Sequence, residues 1–250
     1  MKEPGCAGRA RVDPVRVAIL AAGLGTRLGL PSPKPLTPLA DGRTIMQQQL
    51  DNLRGSLAER ASIVVVVGFR ADLIMTAFPD VLFAYNERYE RTNTAKSLLK
   101  ALRSAGAGGM LWLNGDVVFD PRLLESIKPS IDADETFVCV NTAAVGDEEV
   151  KYRADACGYV TELSKAVRGG FGEAVGINYI AGDSRATLIE HLERCGDQDY
   201  FERGIESAIV ADGLRVRALD ISAFFAVEVD FPADLERANA EVSRTITSAA

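Results

Sequence analysis

Apolar residues come along this chain in two rhythms. The first is a short, charge-poor run rich in β-branched side chains: Val15–Leu20, Ser62–Val67, Val81–Tyr85, and the stretch opening Met110-Leu-Trp-Leu. Runs of this length, apolar on both faces, predict buried parallel strands. The second rhythm is helical. Met46, Leu50, Leu53 and Leu57 recur at steps of four, three and four after Thr44, which puts them on one helix face. Ala71–Phe78 predicts a short helix stopped by Pro79. Asn93 is placed to cap a helix whose Leu98, Leu99 and Leu102 pack inward. Strand, helix, strand, helix, strand in this order predicts an α/β fold. The sheet is Rossmann-like, open, mixed but mostly parallel, with right-handed crossovers and helices on both faces.

From Thr136 the pattern changes. Short strands at Thr136–Asn141, Tyr159–Leu163 and Ile177–Ala181 alternate with glycines and charged turns. They predict a small antiparallel flap over residues 136–183. Helices at Ser184–Cys195 and Tyr200–Ala211, strands at Leu214–Leu219 and Phe224–Asp230, and a closing helix from Phe231 to Val242 complete the chain. Residues 1–14, with Gly, Pro and charge, are expected to be a flexible tail, and residues 15–250 a single domain. His191, between Glu190 and Glu193, is expected on a solvated helix surface.

A net charge of −7 argues against a nucleic-acid partner. The longest apolar run, Ile63–Val67, is too short to span a bilayer, and the first residues have no apolar signal core. Cys6, Cys139, Cys157 and Cys195 show no C-x-x-C spacing and read as reduced thiols of a cytoplasmic protein.

The candidate chemistry begins where the first strand ends, at Ala21-Ala22-Gly23-Leu24-Gly25-Thr26-Arg27. Two glycines let the backbone turn tightly, and successive amides in such a turn form a concave anion site. Arg27 and Lys34 add two cations, and Pro31, Pro33, Pro35 and Pro38 lock the following loop. The arrangement reads as a triphosphate cradle. It is not a P-loop, because no Lys-Ser or Lys-Thr follows the glycines. It is not a dinucleotide fingerprint, because Leu28 takes the third glycine's place and the prolines forbid a helix. Gly68 ends the second strand at the same sheet edge, where ligands of such sheets bind. Asn114-Gly115-Asp116 ends the fourth strand there too. Asp116 is then either a turn residue or a hard-oxygen ligand for Mg²⁺ beside a triphosphate. Glu228 and Asp230, two apart on a strand, point to one face and supply the other half of such a metal site, or else form a solvated edge.

The pattern L-A-A-G-x-G-T-R…P-K-P-L resembles the opening signature of the GT-A-like nucleotidyltransferases that activate phosphosugars and phospho-alcohols. Tyr85-Asn-Glu…Asn93…Ser97, Gly115-Asp-Val-Val118, Gly176-Ile-x-Tyr179 and Glu228-Val-Asp230 are most similar to the phosphocholine and phosphonate cytidylyltransferases. The resemblance implies the nucleotidyltransferase fold, CTP as donor, and CMP transfer to a small phosphonate or phospho-alcohol with release of pyrophosphate. It implies that Arg27 and Lys34 are catalytic, that the Ala21–Thr26 loop, Gly68, Asn93 and Ser97 line the nucleotide, and that Asp116 and Asp230, with Glu228, hold Mg²⁺. It places Glu173, Gly176 and Tyr179 beside the acceptor.

A choline cage wants aromatic rings. The region expected to supply a tryptophan reads Glu148-Glu-Val-Lys-Tyr-Arg153, with none; Tyr200 and Phe201 would give part of a cage. Lys151, Arg153, Lys165 and Arg168 suggest instead an acceptor with a second acid group, or are solvated flap charges. The expected partners are therefore CTP and a small phosphorylated or phosphonate acceptor, with neither nucleic acid nor membrane, for a monomer or homodimer. Two alternatives stand: a sugar-1-phosphate nucleotidyltransferase using UTP, dTTP or GTP, and a catalytically silent nucleotide-binding regulator on the same fold. A retaining glycosyltransferase would want Asp-x-Asp, which Asp116-Val-Val does not provide.

Overall fold

The structure, a computed structural model, describes residues 14–29, 31–143 and 149–249. The expected tail lies outside the described residues except for Pro14. Strands β1 (Val15–Ala21), β2 (Ala61–Val67), β3 (Leu82–Tyr85) and β4 (Met110–Asn114) run parallel, in the spatial order β4-β1-β2-β3. Strand β1 is apolar on both faces because both are covered. Val17 and Ile19 face the cluster built on helix α1 (Ile45–Leu57), while Ala18 and Leu20 face the cluster built on α3 (Thr94–Ser104). Thr44 caps α1, its hydroxyl accepting from Gln47 N, and Asn93 caps α3, its Oδ1 accepting from Thr94 N. Both starts match the sequence pattern, as does the short α2 (Ala71–Ala77) between β2 and β3.

Beyond β4 the topology departs from the simple expectation. Strand β5 (Val117–Phe119) leaves the main sheet after helix-free turn residues Gly115 and Asp116. It pairs antiparallel with β11 (Ala226–Glu228) in a separate two-stranded sheet. Helix α4 (Arg122–Asp132) follows, and Asp120 Oδ1, just before it, accepts from Arg122 N. The short strand expected at 177–181 is the end of a nine-residue strand, β9 (Gly172–Ile180). It runs antiparallel between β4 and β6 (Phe137–Asn141) inside the main sheet. Only the outer half of β9 forms the flap, with β7 (Lys151–Ala154) and β8 (Val160–Ser164). With β10 (Arg217–Asp220) parallel to β6, seven of the sheet's nine strands among the described residues follow the order β10-β6-β9-β4-β1-β2-β3, and β7 and β8 branch from β9. The architecture is thus a mixed, mostly parallel sheet with helices, plus a small antiparallel sheet.

Helices α5 (Arg185–Arg194) and α6 (Phe201–Asp212) pack on α3, and α7 (Pro232–Ala249) closes the chain. Two polar residues are buried there. His191 is not on a solvated surface: it is 2% exposed, its Nδ1 lies 2.9 Å from Ser207 Oγ and its Nε2 2.7 Å from Asp212 Oδ2. His191 faces α6 through Ser207 and Asp212, while its sequence neighbours Glu190 and Glu193 stay exposed. Arg185 donates to the carbonyls of Leu102, Ala105, Gly106 and Gly108. It caps the C-terminus of α3, where helix carbonyls lack partners. Among the described residues no helix is long and apolar enough to cross a membrane.

Candidate active site

A cleft of about 430 Å³ opens beyond the carboxyl ends of β1 and β4. Its inner wall depends on glycine. Gly115 N donates to Leu20 O at 2.9 Å, and a Cβ on Gly115 would stand 2.8 Å from that oxygen and 3.1 Å from Ala21 Cα. Only glycine lets the turn after β4 lie against the end of β1. Asp116 is thereby brought to the glycine loop. Val229 N then donates to Asp116 O at 3.0 Å, which carries Asp230 to the same place from β11. Across from them, Gly25 adopts φ +60° and passes within 3.2 Å of Lys34 Cβ, measured from the position of an added Cβ. Pro33 and Pro35 hold Lys34 in a single 3₁₀ turn whose residues Lys34 and Pro35 are buried.

These constraints converge on one ionic cluster. Lys34 Nζ lies 2.8 Å from Asp116 Oδ2 and 2.5 Å from Asp230 Oδ1, and Arg27 Nη1 lies 2.9 Å from Asp230 Oδ2. The Lys34 side chain is only 10% exposed. Burial alone would depress its pKa, but the Asp116 and Asp230 carboxylates outweigh burial and hold the ammonium above the usual lysine value. Arg27 also lies over the Phe231 ring, 5.7 Å from its centroid. Glu228 sits behind the cluster. Its Oε1 accepts from Gly176 N at 2.9 Å and Asn114 Nδ2 at 3.2 Å, and burial, then Asp116, pushes its carboxyl well up.

The cleft gathers Ala21, Gly23, Leu24, Gly25, Arg27, Lys34, Asn93, Asp116, Lys165, Glu228 and Asp230 from the residues singled out in the sequence. Others support it from outside. Ala22 O accepts from Phe69 N, and Gly68 is packed so tightly that a Cβ would stand 2.5 Å from Tyr89 Cβ. Thr26 lies in a 3₁₀ turn, and its side chain is outside what the structure describes. Ser97 is buried and accepts from Asn86 Nδ2, behind the cleft. Gly176 meets Glu228 through its amide. Tyr179 is not brought to the site: it stacks on Phe137 and donates to Asp134, at the far end of β9.

Of the four flap cations only Lys165 lines the cleft. Arg153 is engaged with Glu162 and with the carbonyl of Arg168, while Lys151 and Glu173 are paired across β7 and β9. The cleft's outer end is instead acidic. Glu149 and Glu202 line it together with Tyr200, and neither glutamate belongs to a motif that marks it in the sequence. Burial pushes the Glu202 carboxyl up to about 7 and raises that of Glu149. Of the two rings expected to form part of a cage, Tyr200 has Lys165 Nζ 4.8 Å from its ring centroid, whereas Phe201 is buried edge-on against Trp112.

Residues 17–174 match the MobA-like NTP transferase domain. The chain belongs to this NTP transferase family. It is 31% identical over 247 residues to the CMP-5'-(3-aminopropyl)phosphonate synthase of Streptomyces rubellomurinus, covering 90% of this chain and 38% of that protein. It is 28% identical over 214 residues to the bifunctional protein GlmU of Methylobacillus flagellatus, covering 82% of this chain and 45% of that one. The chain thus spans less than half the length of these two curated relatives. In fold this NTP transferase is similar to the inositol-1-phosphate CTP transferase of T. maritima, with a TM-score of 0.73 at 19% identity over 89% of this chain and 92% of that one. It is also similar to the CTP:phosphocholine cytidylyltransferase of Streptococcus pneumoniae, with a TM-score of 0.71 at 16% identity over 92% and 99%.

Proposed function

We propose that this NTP transferase is a CTP-dependent cytidylyltransferase that moves CMP onto a small phosphonate or phospho-alcohol. The observation that carries the reading is the cluster of Arg27, Lys34, Asp116 and Asp230 at the mouth of the glycine loop. The choice of CTP and of a phosphonate rests on the CMP-phosphonate synthase to which the chain is 31% identical. A phosphonate or phosphate oxygen of the acceptor attacks the α-phosphorus of CTP. The new P–O bond forms as the bond to the β-phosphate oxygen breaks, and pyrophosphate leaves. The nucleophile is already an anion near neutral pH, so no general base is needed. Catalysis is then positioning and charge neutralisation.

The backbone amides of the Gly23–Gly25 loop and Arg27 would hold the β- and γ-phosphates. Lys34 would leave its aspartate partners for the α-phosphate and the entering oxygen. Asp116 and Asp230 fit a divalent cation: they are hard oxygen donors, and Asp116 Oδ1 is sealed from solvent with no hydrogen-bond partner. Bound Mg²⁺ would supply charge neutralisation at the phosphates. Lys34 now holds the position between these carboxylates, a resident cation where a metal would sit. Glu228, with Oε1 already bonded, would steady the set from behind.

The test is pyrophosphate release with Mg²⁺, crossing CTP, UTP, dTTP, ATP and GTP against small phosphonates, phosphocholine and glucose 1-phosphate. Activity confined to CTP and a small phospho-compound is expected. Preference for glucose 1-phosphate with UTP or dTTP would move the enzyme to the sugar-nucleotide class.

A further inference from the structure

Helix α1 packs on the sheet with apolar residues, but part of its buried side is polar. Gln48, Gln49 and Asn52 are all buried, Gln49 completely. Their amides reach the strand that leaves the main sheet. Gln48 Nε2 and Asn52 Nδ2 donate to Phe119 O, at the end of β5, at 2.7 and 3.1 Å. Gln49 Nε2 donates to Asn114 O and to Val117 O, each at 2.8 Å. Asn114 ends β4 and Val117 begins β5, so one amide nitrogen bridges both ends of the turn Gly115-Asp116. Between two carbonyls only the NH₂ of a glutamine fits, which fixes the orientation of the amide. Its Oε1 is then left sealed from solvent with no hydrogen-bond partner. A buried acceptor without a donor is destabilising, and an apolar side chain would carry none. What the amide supplies in exchange is a tie across the turn that presents the Asp116 carboxylate.

We propose that Gln49 is a positioning residue for Asp116. The turn is held from three sides. Gly115 N donates to Leu20 O at the glycine loop, Val229 N donates to Asp116 O from β11, and Gln49 closes the side toward α1. Of these three ties only the one from Gln49 comes from a side chain, so a substitution removes it and leaves the others in place. In the unliganded protein the tie sets the Asp116 carboxylate against Lys34 Nζ. On the cytidylyltransferase reading, on which this last step rests, it also sets that carboxylate for the divalent cation beside the triphosphate. The same tie serves Glu228, because Asn114 Nδ2 donates to Glu228 Oε1. Residues that orient a metal ligand from behind in this way are worth about 10–100-fold in metal affinity or activity. Gln48 and Asn52 make bonds of the same kind at the far end of β5, away from the turn, and so provide a matched comparison.

The experiment sets Gln49→Met against the double variant Gln48→Met with Asn52→Leu, since each removes two buried side-chain bonds to backbone carbonyls. Both are checked for a native thermal melt. Gln49→Asn, too short to reach both carbonyls, takes the place of Gln49→Met should that variant not fold. CTP binding to the full chain is measured by calorimetry with Mg²⁺ and with EDTA, and pyrophosphate release with a small phosphonate gives kcat and KM. Expected for Gln49→Met is a loss of about 10-fold or more both in the tightening of CTP binding by Mg²⁺ and in kcat, with metal-free CTP affinity near wild type. The double variant should keep both near wild type even where its melt falls as far. Equal losses in the two variants, or a Gln49→Met enzyme that behaves as the wild type, overturn the proposal. Should no acceptor turn over, the CMP-transfer reading fails while the binding comparison still decides the role of Gln49. Should Mg²⁺ also leave CTP binding to the wild type unchanged, urea melts with Lys34→Met decide it. Losses for Gln49→Met and Lys34→Met that sum to more than the loss in their combined variant, while those of the double variant and Lys34→Met add, uphold the proposal; additivity in both cases ends it.

Discussion

Replacing Lys34 by Met keeps the buried stem and removes the ammonium. Two consequences follow from the geometry. In the unliganded protein, Asp116 and Asp230 lose the cation that lies 2.8 and 2.5 Å from them. Removing one partner of a fully buried ion pair costs about 3–5 kcal/mol. Here the carboxylates are 21% and 19% exposed, and Asp230 keeps Arg27, so a loss of about 1–3 kcal/mol is expected. In the reaction, the α-phosphate loses a preorganised positive donor, and removing one such group lowers kcat by about 10²–10³-fold. The two effects separate in the assay. Urea melts with and without Mg²⁺ report the first, and steady-state pyrophosphate release by the folded variant reports the second. Because Mg²⁺ competes with Lys34 for the same carboxylates in this account, added Mg²⁺ should restore more stability to Lys34→Met than to the wild type. A folded Lys34→Met enzyme with kcat within about threefold of wild type, or a stability loss that Mg²⁺ leaves untouched, would refute the reasoning.

Three further outcomes follow from individual contacts. Gly176→Ala would drive a Cβ to 2.5 Å from Asn114 Nδ2 and 2.6 Å from Glu228 Oε1; a loss of about 1–3 kcal/mol in urea melts is expected from such overpacking, together with reduced turnover as Glu228 shifts. Arg185→Met strips four carbonyls of their donor at the end of α3 and should cost about 1–3 kcal/mol, the penalty of unsatisfied buried acceptors, with the KM for CTP unchanged; a shifted KM would tie α5 to the site. Glu202 titrates near 7 in the folded protein against an ordinary 4.5, so the folded state holds the extra proton between those values. The stability this carries is complete below about pH 4.5 and is lost as pH rises through about 7, up to about 3 kcal/mol. Glu202→Gln should flatten that segment of the stability–pH curve, and an unchanged curve would contradict the burial argument.

Much of the parallel half was legible because its signals are local. β1 and β2 are apolar on both faces, Thr44 and Asn93 are caps, and the glycine loop announces a turn. The site's inner half was legible for the same reason: Arg27, Lys34, Asp116 and Asp230 sit in short motifs that the cleft does bring together. What sequence did not yield is non-local. β9 reads as a short flap strand because its first residues, Gly172–Val175, lack a continuous apolar run, and only pairing with β4 and β6 draws it into the sheet. Lys151, Arg153 and Arg168 look like Lys165 in sequence, yet strand alternation and the flap's own pairs leave only Lys165 in the cleft. Glu149 and Glu202 carry no motif. They become a pair because the segment before β7 and the first turn of α6 meet at the cleft's outer end, and His191 is buried by the same packing of α6 on α5.

The measurement closest to the central claim is single-turnover transfer from α-³²P-labelled CTP to a small phosphonate, comparing wild type with Asp116→Asn at varied Mg²⁺. The account predicts that label moves to the phosphonate with matching pyrophosphate release in the wild type. It predicts a drop of about 10²-fold or more for Asp116→Asn without loss of the native melt. Label remaining in CTP with every phosphonate and phospho-alcohol tried, or transfer indifferent to Asp116 and Mg²⁺, would contradict it.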